Sequence, residues 1–137
     1  CYMKNLLFLS LLFFACQQKE KDASIEGKWE YVKMETYNPA EPINLQDSMV
    51  NVLHESQKGM TFWFGNKNFK ATFKRTDGTT EPMGEQPYEL SKDRKTVILN
   101  NNGRADDKFP IIELSDSILK INIFYSDKAY MVFKRMD

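Results

Sequence analysis

The side chains that most often carry catalysis are scarce in this chain. Its 137 residues include one histidine, His54, and two cysteines, Cys1 and Cys16. The sequence contains no G-x-S-x-G motif, no paired cysteine and histidine, no metal-site spacing of His or Cys and no phosphate-binding loop. Because His54 has no acidic or cysteine partner in such a spacing, we interpret it as a surface or packing residue. The sequence therefore predicts neither an enzyme nor a metal or cofactor site.

Two groups of polar residues were weighed as sites and are interpreted as solvated loops. Asp106 and Asp107, with the asparagines at 100–102, could bind a cation, but they lack the spacing of an EF-hand loop. Glu81 and Glu85 lie in a segment that nothing in the pattern makes rigid.

The chemistry that the sequence does support is acylation of Cys16. Lys4 precedes an apolar run, Leu6–Ala15, in which only Ser10 is polar. A positive start, a short apolar run and a small residue at its end are the features of a secretory signal peptide. The run is too short for a spanning helix, which needs about 20 apolar residues. The sequence LFFAC around Cys16 resembles the bacterial lipobox, in which the cysteine is lipidated and becomes the mature N-terminus; ordinary cleavage nearby is the alternative.

The lipobox resemblance implies a location and a set of boundaries. It implies three acyl chains on Cys16, such as palmitate, and several chains anchor a protein stably where one is marginal. Gln17 directly after the cysteine resembles cargo sent to the outer membrane, so we expect a lipid-anchored protein of the bacterial cell envelope. We predict a signal peptide over 1–15, a flexible tether over 16–24 and a folded domain over 25–137.

Composition limits what the folded domain can be. Hydrophobic residues make up 42% of the chain, which is enough for a packed core and too many for a disordered protein. Nineteen Lys and Arg balance nineteen Asp and Glu, so the basic surplus of a nucleic-acid binder is missing. We expect one small domain that does not bind nucleic acid.

From Gly27 onward the pattern favours an all-β domain. Apolar and polar residues alternate, and turn residues recur at short intervals. The first strand, Lys28–Tyr37, changes its apolar phase midway, which predicts a bulge or bend. A short amphipathic helix, Leu45–Lys58, is expected to cover an end or flank of the sheet. The segment Thr79–Gln86, with its proline and glycine, is interpreted as an open loop.

The strand count is about eight, which is near the number that closes a barrel around side chains or one small ligand. A two-sheet sandwich stays open as the alternative. The inward phases supply large apolar side chains, which either fill the interior or line a cavity. The residues that would line a cavity are Phe62, Phe64, Phe69, Phe73, Ile121, Ile123 and Met131. Trp63 and Phe124 fall on the opposite phase; they mark a partner surface or, as we favour, are covered by the helix.

Two short motifs resemble those of the lipocalins. Gly27-Lys28-Trp29 resembles their G-x-W motif, and the basic pair near the end of the last strand resembles their second hallmark. In that family the tryptophan sits at the closed end of the barrel and an arginine packs across it. The resemblance assigns this role to Arg135 rather than Lys134, because Arg135 shares the phase of the preceding apolar residues.

The middle of the chain is similar to small lipocalin-like lipoproteins of Bacteroidetes-type bacteria. The resemblance implies an antiparallel, up-and-down, eight-stranded barrel with one short helix after the first strand. It implies a membrane-anchored protein that binds a small apolar ligand in the barrel or at its mouth. The alternative is a non-catalytic interaction or structural lipoprotein of the envelope with a filled core. The oligomeric state is left open.

Overall fold

A computed structural model describes residues 23–44, 46–100, 106–123 and 126–136. These residues form eight β-strands and one α-helix. The elements are β1 (Gly27–Thr36), α1 (Ser48–Gln57), β2 (Thr61–Phe64), β3 (Asn68–Lys74), β4 (Thr80–Leu90), β5 (Thr96–Leu99), β6 (Asp107–Leu114), β7 (Ile118–Ile121) and β8 (Ala129–Met136). The predicted signal peptide, Cys16 and Phe124 lie outside the described residues.

The strands close into a barrel. Each strand pairs antiparallel with the next along the chain, and β1 pairs with β8, so the sheet has no open edge. The expectation of an eight-stranded, up-and-down barrel with a helix after β1 is confirmed, and the two-sheet sandwich is excluded.

The predicted irregularity of the first strand is a β-bulge. The register between β1 and β8 shifts between Tyr31 and Lys33. Before the shift Trp29 and Tyr31 are buried in the barrel, and after it Met34 packs against the core while Val32 is exposed. The extra residue explains why the apolar phase of the sequence changes at this point.

The prediction of an open loop over Thr79–Gln86 is wrong, because this segment belongs to β4. Pro82 pairs with Thr72 of β3, and further along the strand the register shifts by a bulge. The bulge sets Gly84 and Glu85 of β4 against a single residue of β3. Pairing with a long neighbouring strand outweighs the low strand propensity of proline and glycine, and the bulge accommodates the glycine.

The core fills the barrel from one end. Buried side chains from seven of the strands and from the segment before β1 form one apolar cluster, against which partly buried side chains of β6 pack. The Phe62 and Phe133 rings stack within it, with centroids 4.4 Å apart. Every buried member among the described residues lies between Ile25 and Phe133, so a chain that starts at Gln17 contains all of them.

Arg135 closes the end of the barrel at which the chain enters. Its guanidinium carbon lies 4.2 Å from the centroid of the Trp29 ring, and Trp29 is fully buried. Arg135 Nη1 donates to the carbonyl of Glu26 at 2.7 Å, Nη2 to that of Ser24 at 2.6 Å, and Nε to that of Asp116 at 2.6 Å. The arginine therefore holds β8, the turn between β6 and β7 and the entering chain in one contact.

Trp29 also binds the segment that precedes β1. Its indole Nε1 donates to the carbonyl of Ile25 at 2.8 Å, so three successive carbonyls before β1 are bound by Trp29 and Arg135. The last residue of the predicted tether, Ser24, is thus held against the barrel.

Gly27 is required by this arrangement. Its φ is +130°, and a Cβ atom at this position would lie 2.6 Å from Arg135 Nη1. A larger residue would be strained and would also displace the guanidinium.

We predict that Gly27→Ala lowers the free energy of unfolding by about 2–3 kcal/mol, because backbone strain and loss of the arginine contacts add together. Urea unfolding measures the loss. The matched control is Gly78→Ala, since Gly78 has φ +87° but no atom within 4 Å of its would-be Cβ. Equal losses in the two variants would show that the contact with Arg135 does not contribute.

Candidate ligand-binding cavity

A cavity of about 510 Å³ occupies the barrel at the end opposite Arg135. This volume lies within the range of small-molecule sites, about 300–1,000 Å³. The aromatic residues among its described lining residues are five phenylalanines: Phe62, Phe64, Phe69, Phe73 and Phe109. Aliphatic residues of β5 and β7 complete the interior, and α1 and the bulged part of β4 border the mouth.

Six of the seven residues expected to line a cavity do so. These are Phe62, Phe64, Phe69, Phe73, Ile121 and Ile123. Met131 does not: it is fully buried in the core and borders no part of the cavity. Its side chain faces inward, as expected. Alternation along a strand, however, does not show where along the barrel axis the packed core ends and the cavity begins.

Several lining residues were missed from the sequence. Met83 and Gln86 lie on the part of β4 for which the sequence predicts a loop, and Gln57 lies at the end of α1. Leu53 is the one lining residue of α1 for which a signal existed, because it belongs to the apolar stripe of the predicted helix.

The helix is fastened to the barrel by Tyr31. The Tyr31 hydroxyl and His54 Nδ1 are hydrogen-bonded at 2.9 Å, and the centroids of the two rings lie 5.7 Å apart. His54 is thus a packing residue, in agreement with its interpretation from the sequence. Tyr31 also packs edge-on against Phe133 of the core. Burial raises the pKa of Tyr31 to about 12.

Four polar side chains border the cavity: Ser56, Gln57, Gln86 and Asp107. Ser56 Oγ donates to the carbonyl of Leu53 at 2.8 Å. Gln57 Oε1 and Gln86 Oε1 are buried and accept no hydrogen bond from any of the described residues. The cavity is thus lined mainly by apolar side chains, and the Oε1 atoms of Gln57 and Gln86 are enclosed by protein atoms rather than exposed to its space.

The carboxylates considered from the sequence lie elsewhere. Glu81 and Glu85 are on β4 rather than in a loop, and Glu81 pairs with Arg75 at 2.8 Å. Asp107 borders the cavity, whereas the asparagines at 101 and 102 lie outside the described residues. Within the described ranges, no group of three or more His, Cys, Asp or Glu residues is arranged to hold a metal ion.

The main charge cluster lies on the outer wall of the barrel. Glu35 of β1 is 3.1 Å from Lys120 of β7 and accepts a hydrogen bond from the Tyr130 hydroxyl of β8 at 2.9 Å. Burial by itself would raise the pKa of Glu35, but hydrogen bonds from Lys120, Tyr130 and Lys33 outweigh it and lower that pKa. The cluster links neighbouring strands and does not face the cavity.

Trp63 also lies on the outer wall. Lys70 Nζ sits 4.8 Å from its ring centroid, and the ring covers Gly65, whose would-be Cβ lies 2.5 Å from a ring carbon. These contacts come from its own hairpin, near the closed end, whereas α1 lies at the mouth. The expectation that the helix covers Trp63 is therefore wrong.

Comparison with known proteins places the chain in a family. Residues 25–121, more than half of the chain, match the lipocalin-like domain. The chain belongs to the lipocalin-like domain family. No curated protein was found to match the sequence.

Solved structures agree with the fold. A lipocalin-like protein from Bacteroides uniformis superposes with a TM-score of 0.54 at 15% identity, covering 82% of this chain and 98% of that one. An uncharacterized protein from Bacteroides eggerthii gives a TM-score of 0.52 at 15% identity, covering 82% of this chain and 100% of that one. In the described part of the chain, no helix has the length and apolar character to span a bilayer.

We predict that Tyr31→Phe makes the free energy of unfolding depend less on pH in the alkaline range. The pKa of Tyr31 is higher in the folded chain, about 12, than in the unfolded one, about 10. Its contribution is therefore complete below pH 10 and is lost as the pH rises toward 12. Between pH 9 and 12, the free energy of unfolding measured with urea should fall with pH less steeply in the variant than in the wild type, by up to about 1.4 kcal/mol per pH unit.

At pH 7 the same variant should be less stable by about 1 kcal/mol, because the hydrogen bond to His54 is lost. An unchanged alkaline slope would contradict the burial of the Tyr31 hydroxyl.

Proposed function

We propose that this protein is a membrane-anchored, lipocalin-like lipoprotein that binds a small apolar ligand in the barrel cavity. The observation that carries the proposal is the 510 Å³ cavity with its phenylalanine-rich wall. Apolar surface of this kind is removed from water when an apolar ligand enters, which is favourable in proportion to the area buried.

The alternative is a barrel whose side chains fill it completely. One residue on the cavity wall favours an open interior. Ala71, buried in β3, borders the cavity, and a larger side chain at this position would take up part of the space. The proposed role is binding rather than catalysis, because the described wall is mainly apolar and its four polar side chains are two amides, one serine and one aspartate.

Anchoring through Cys16 supports a definite orientation. The chain enters the barrel at the closed end, where Ser24 and Glu26 are bound by Arg135. A lipid on Cys16 would therefore hold the closed end toward the membrane and leave the cavity mouth facing away. The eight Cα–Cα steps from Cys16 to Ser24 span at most about 28 Å when extended, which bounds the height of the barrel above the bilayer. We propose the outer membrane of a bacterial envelope as the site.

The ligand proposal predicts that Ala71→Phe abolishes binding while the barrel stays folded, because the new ring occupies the cavity. The assay is displacement of a fluorescent apolar probe from the chain starting at Gln17, with circular dichroism to check the fold. The matched control is Thr72→Phe, which adds a ring on the outer face of the same strand. Unchanged binding by Ala71→Phe, or no probe binding by the wild type, would contradict the proposal.

The anchor proposal predicts that Cys16→Ser moves the protein from the membrane fraction to the soluble fraction of cells that express the full chain. The matched control is Cys1→Ser, which should leave the distribution unchanged. Metabolic labelling with an alkyne fatty acid supplies a second readout, since label should depend on Cys16 alone. Retention of Cys16→Ser in the membrane fraction would count against lipidation.

A further inference from the structure

The two ends of the barrel differ in charge. The closed end consists of the turns at 65–67, 91–95 and 115–117, the chain that enters β1, and Arg135. Among the described residues it carries more cations than carboxylates: Lys67, Lys92, Arg94, Lys95 and Arg135 against Glu26, Asp93 and Asp116. At the mouth, the described loops and α1 show the reverse: Glu41, Asp47, Glu55, Asp77, Asp106 and Asp127 against Lys58, Arg75 and Lys128.

The fold does not neutralise the cations of the closed end. Lys67, Lys92, Arg94 and Lys95 are exposed, and none of them forms an ion pair with a described residue. The guanidinium of Arg135 is bound by three carbonyls, which are neutral. This end of the barrel therefore presents uncompensated positive charge.

Arg94 occupies a position at which the turn itself does not need an arginine. Its φ is +61°, in the left-handed region that favours glycine or asparagine. The turn is closed by the bond from Arg94 N to the Ser91 carbonyl at 2.9 Å and by Asp93, which accepts from Ser91 Oγ and Lys95 N. A strained backbone that carries an exposed and unpaired side chain indicates a role for that side chain outside the turn.

The cations flank the point at which the chain reaches the barrel. Lys67 and Arg94 line a groove of about 550 Å³ together with residues 24–26 of the entering chain. Arg94 and Lys95 line a second groove, of about 390 Å³, together with Ala23. Glu26 and Glu89 also border the first groove, so attraction of an anionic surface depends on the sum of charges over the closed end.

We infer that the closed end of the barrel docks on an anionic phospholipid surface, with Lys67 and the cations of residues 92–95 against the lipid phosphates. This inference rests on the proposed anchor and adds a contact made by the folded domain. Anionic lipids attract lysine and arginine side chains that lie near the membrane surface.

The length of the tether favours this contact. The eight Cα–Cα steps from Cys16 to Ser24 keep the closed end within about 28 Å of an anchored lipid, so the cations stay at a high effective concentration near the headgroups. The same surface repels the acidic mouth. Docking therefore fixes the orientation of the barrel, which a lipid on Cys16 alone would leave free to tumble.

Vesicle sedimentation with the chain starting at Gln17 tests docking without acylation. The probes are vesicles of phosphatidylcholine alone and vesicles in which half of the lipid is phosphatidylglycerol. At low salt the chain should bind the phosphatidylglycerol vesicles and not the others. It should be released at about 1 M salt, where the screening length falls to about 3 Å.

Neutralising single charges locates the surface. Lys92→Gln should weaken binding to the phosphatidylglycerol vesicles about fivefold, the effect of one cation near an anionic surface. The matched control is Lys128→Gln, since Lys128 is exposed in the turn between β7 and β8 at the mouth. The control removes the same charge from the chain and should change the affinity less than twofold.

Arg94→Gly separates docking from folding. The variant should bind the phosphatidylglycerol vesicles about fivefold more weakly without a lower Tm, because glycine adopts a φ of +61° without strain. An arginine that serves the turn would lower the Tm when replaced.

Absence of binding to phosphatidylglycerol vesicles, equal losses in Lys92→Gln and Lys128→Gln, or unchanged binding by Arg94→Gly would overturn this inference. Each of these results leaves the anchor standing, because the anchor is tested by fractionation of Cys16→Ser. A wash of the membranes with about 1 M salt keeps the two tests apart, since it releases a docked domain but not an acylated one.

Discussion

The contact between Arg135 and Trp29 determines which end of the barrel is closed. A cation over an indole ring contributes about 0.5–2 kcal/mol, and the three hydrogen bonds from the guanidinium to carbonyls add to it. These bonds join the last strand, the turn before β7 and the chain that enters β1. Because Trp29 fills the barrel next to this contact, the core occupies the end that carries Arg135, and the cavity lies at the other end.

The open end shows a different balance of forces. The helix that borders the mouth is held by a hydrogen bond between Tyr31 and His54 and by apolar contact, and it ends at Gln57, whose amide oxygen has no partner among the described residues. A bulge in β4 lies between Met83 and Gln86, which both border the cavity. Departures of this kind from regular packing are tolerated at functional sites, which supports the proposed binding role.

The features predicted from the sequence are those encoded by local pattern. The alternation in β2, β3 and β7 indicated inward faces, and the phase change in β1 indicated its bulge. The closed end was implied by the resemblance of Gly27, Trp29 and Arg135 to the lipocalin motifs. What was missed depends on pairing between distant segments. The part of β4 that was predicted as a loop contains Pro82 and Gly84, and its pairing with β3 makes it a strand. Nothing in the local sequence distinguishes Gln57 and Gln86 from other glutamines, because their burial follows from the folded chain. Met131 faces inward as expected, yet its height in the barrel places it in the core.

The central claim is that an apolar ligand enters the barrel interior rather than adhering to the outer wall. Intermolecular nuclear Overhauser effects between the methylene protons of bound 1-dodecanol and the side chains of the protein test this directly. The account predicts contacts from the chain to the rings of Phe62 and Phe69 and to the methyl groups of Ile121, all of which line the cavity. Contacts confined to Trp63 on the outer wall would contradict it.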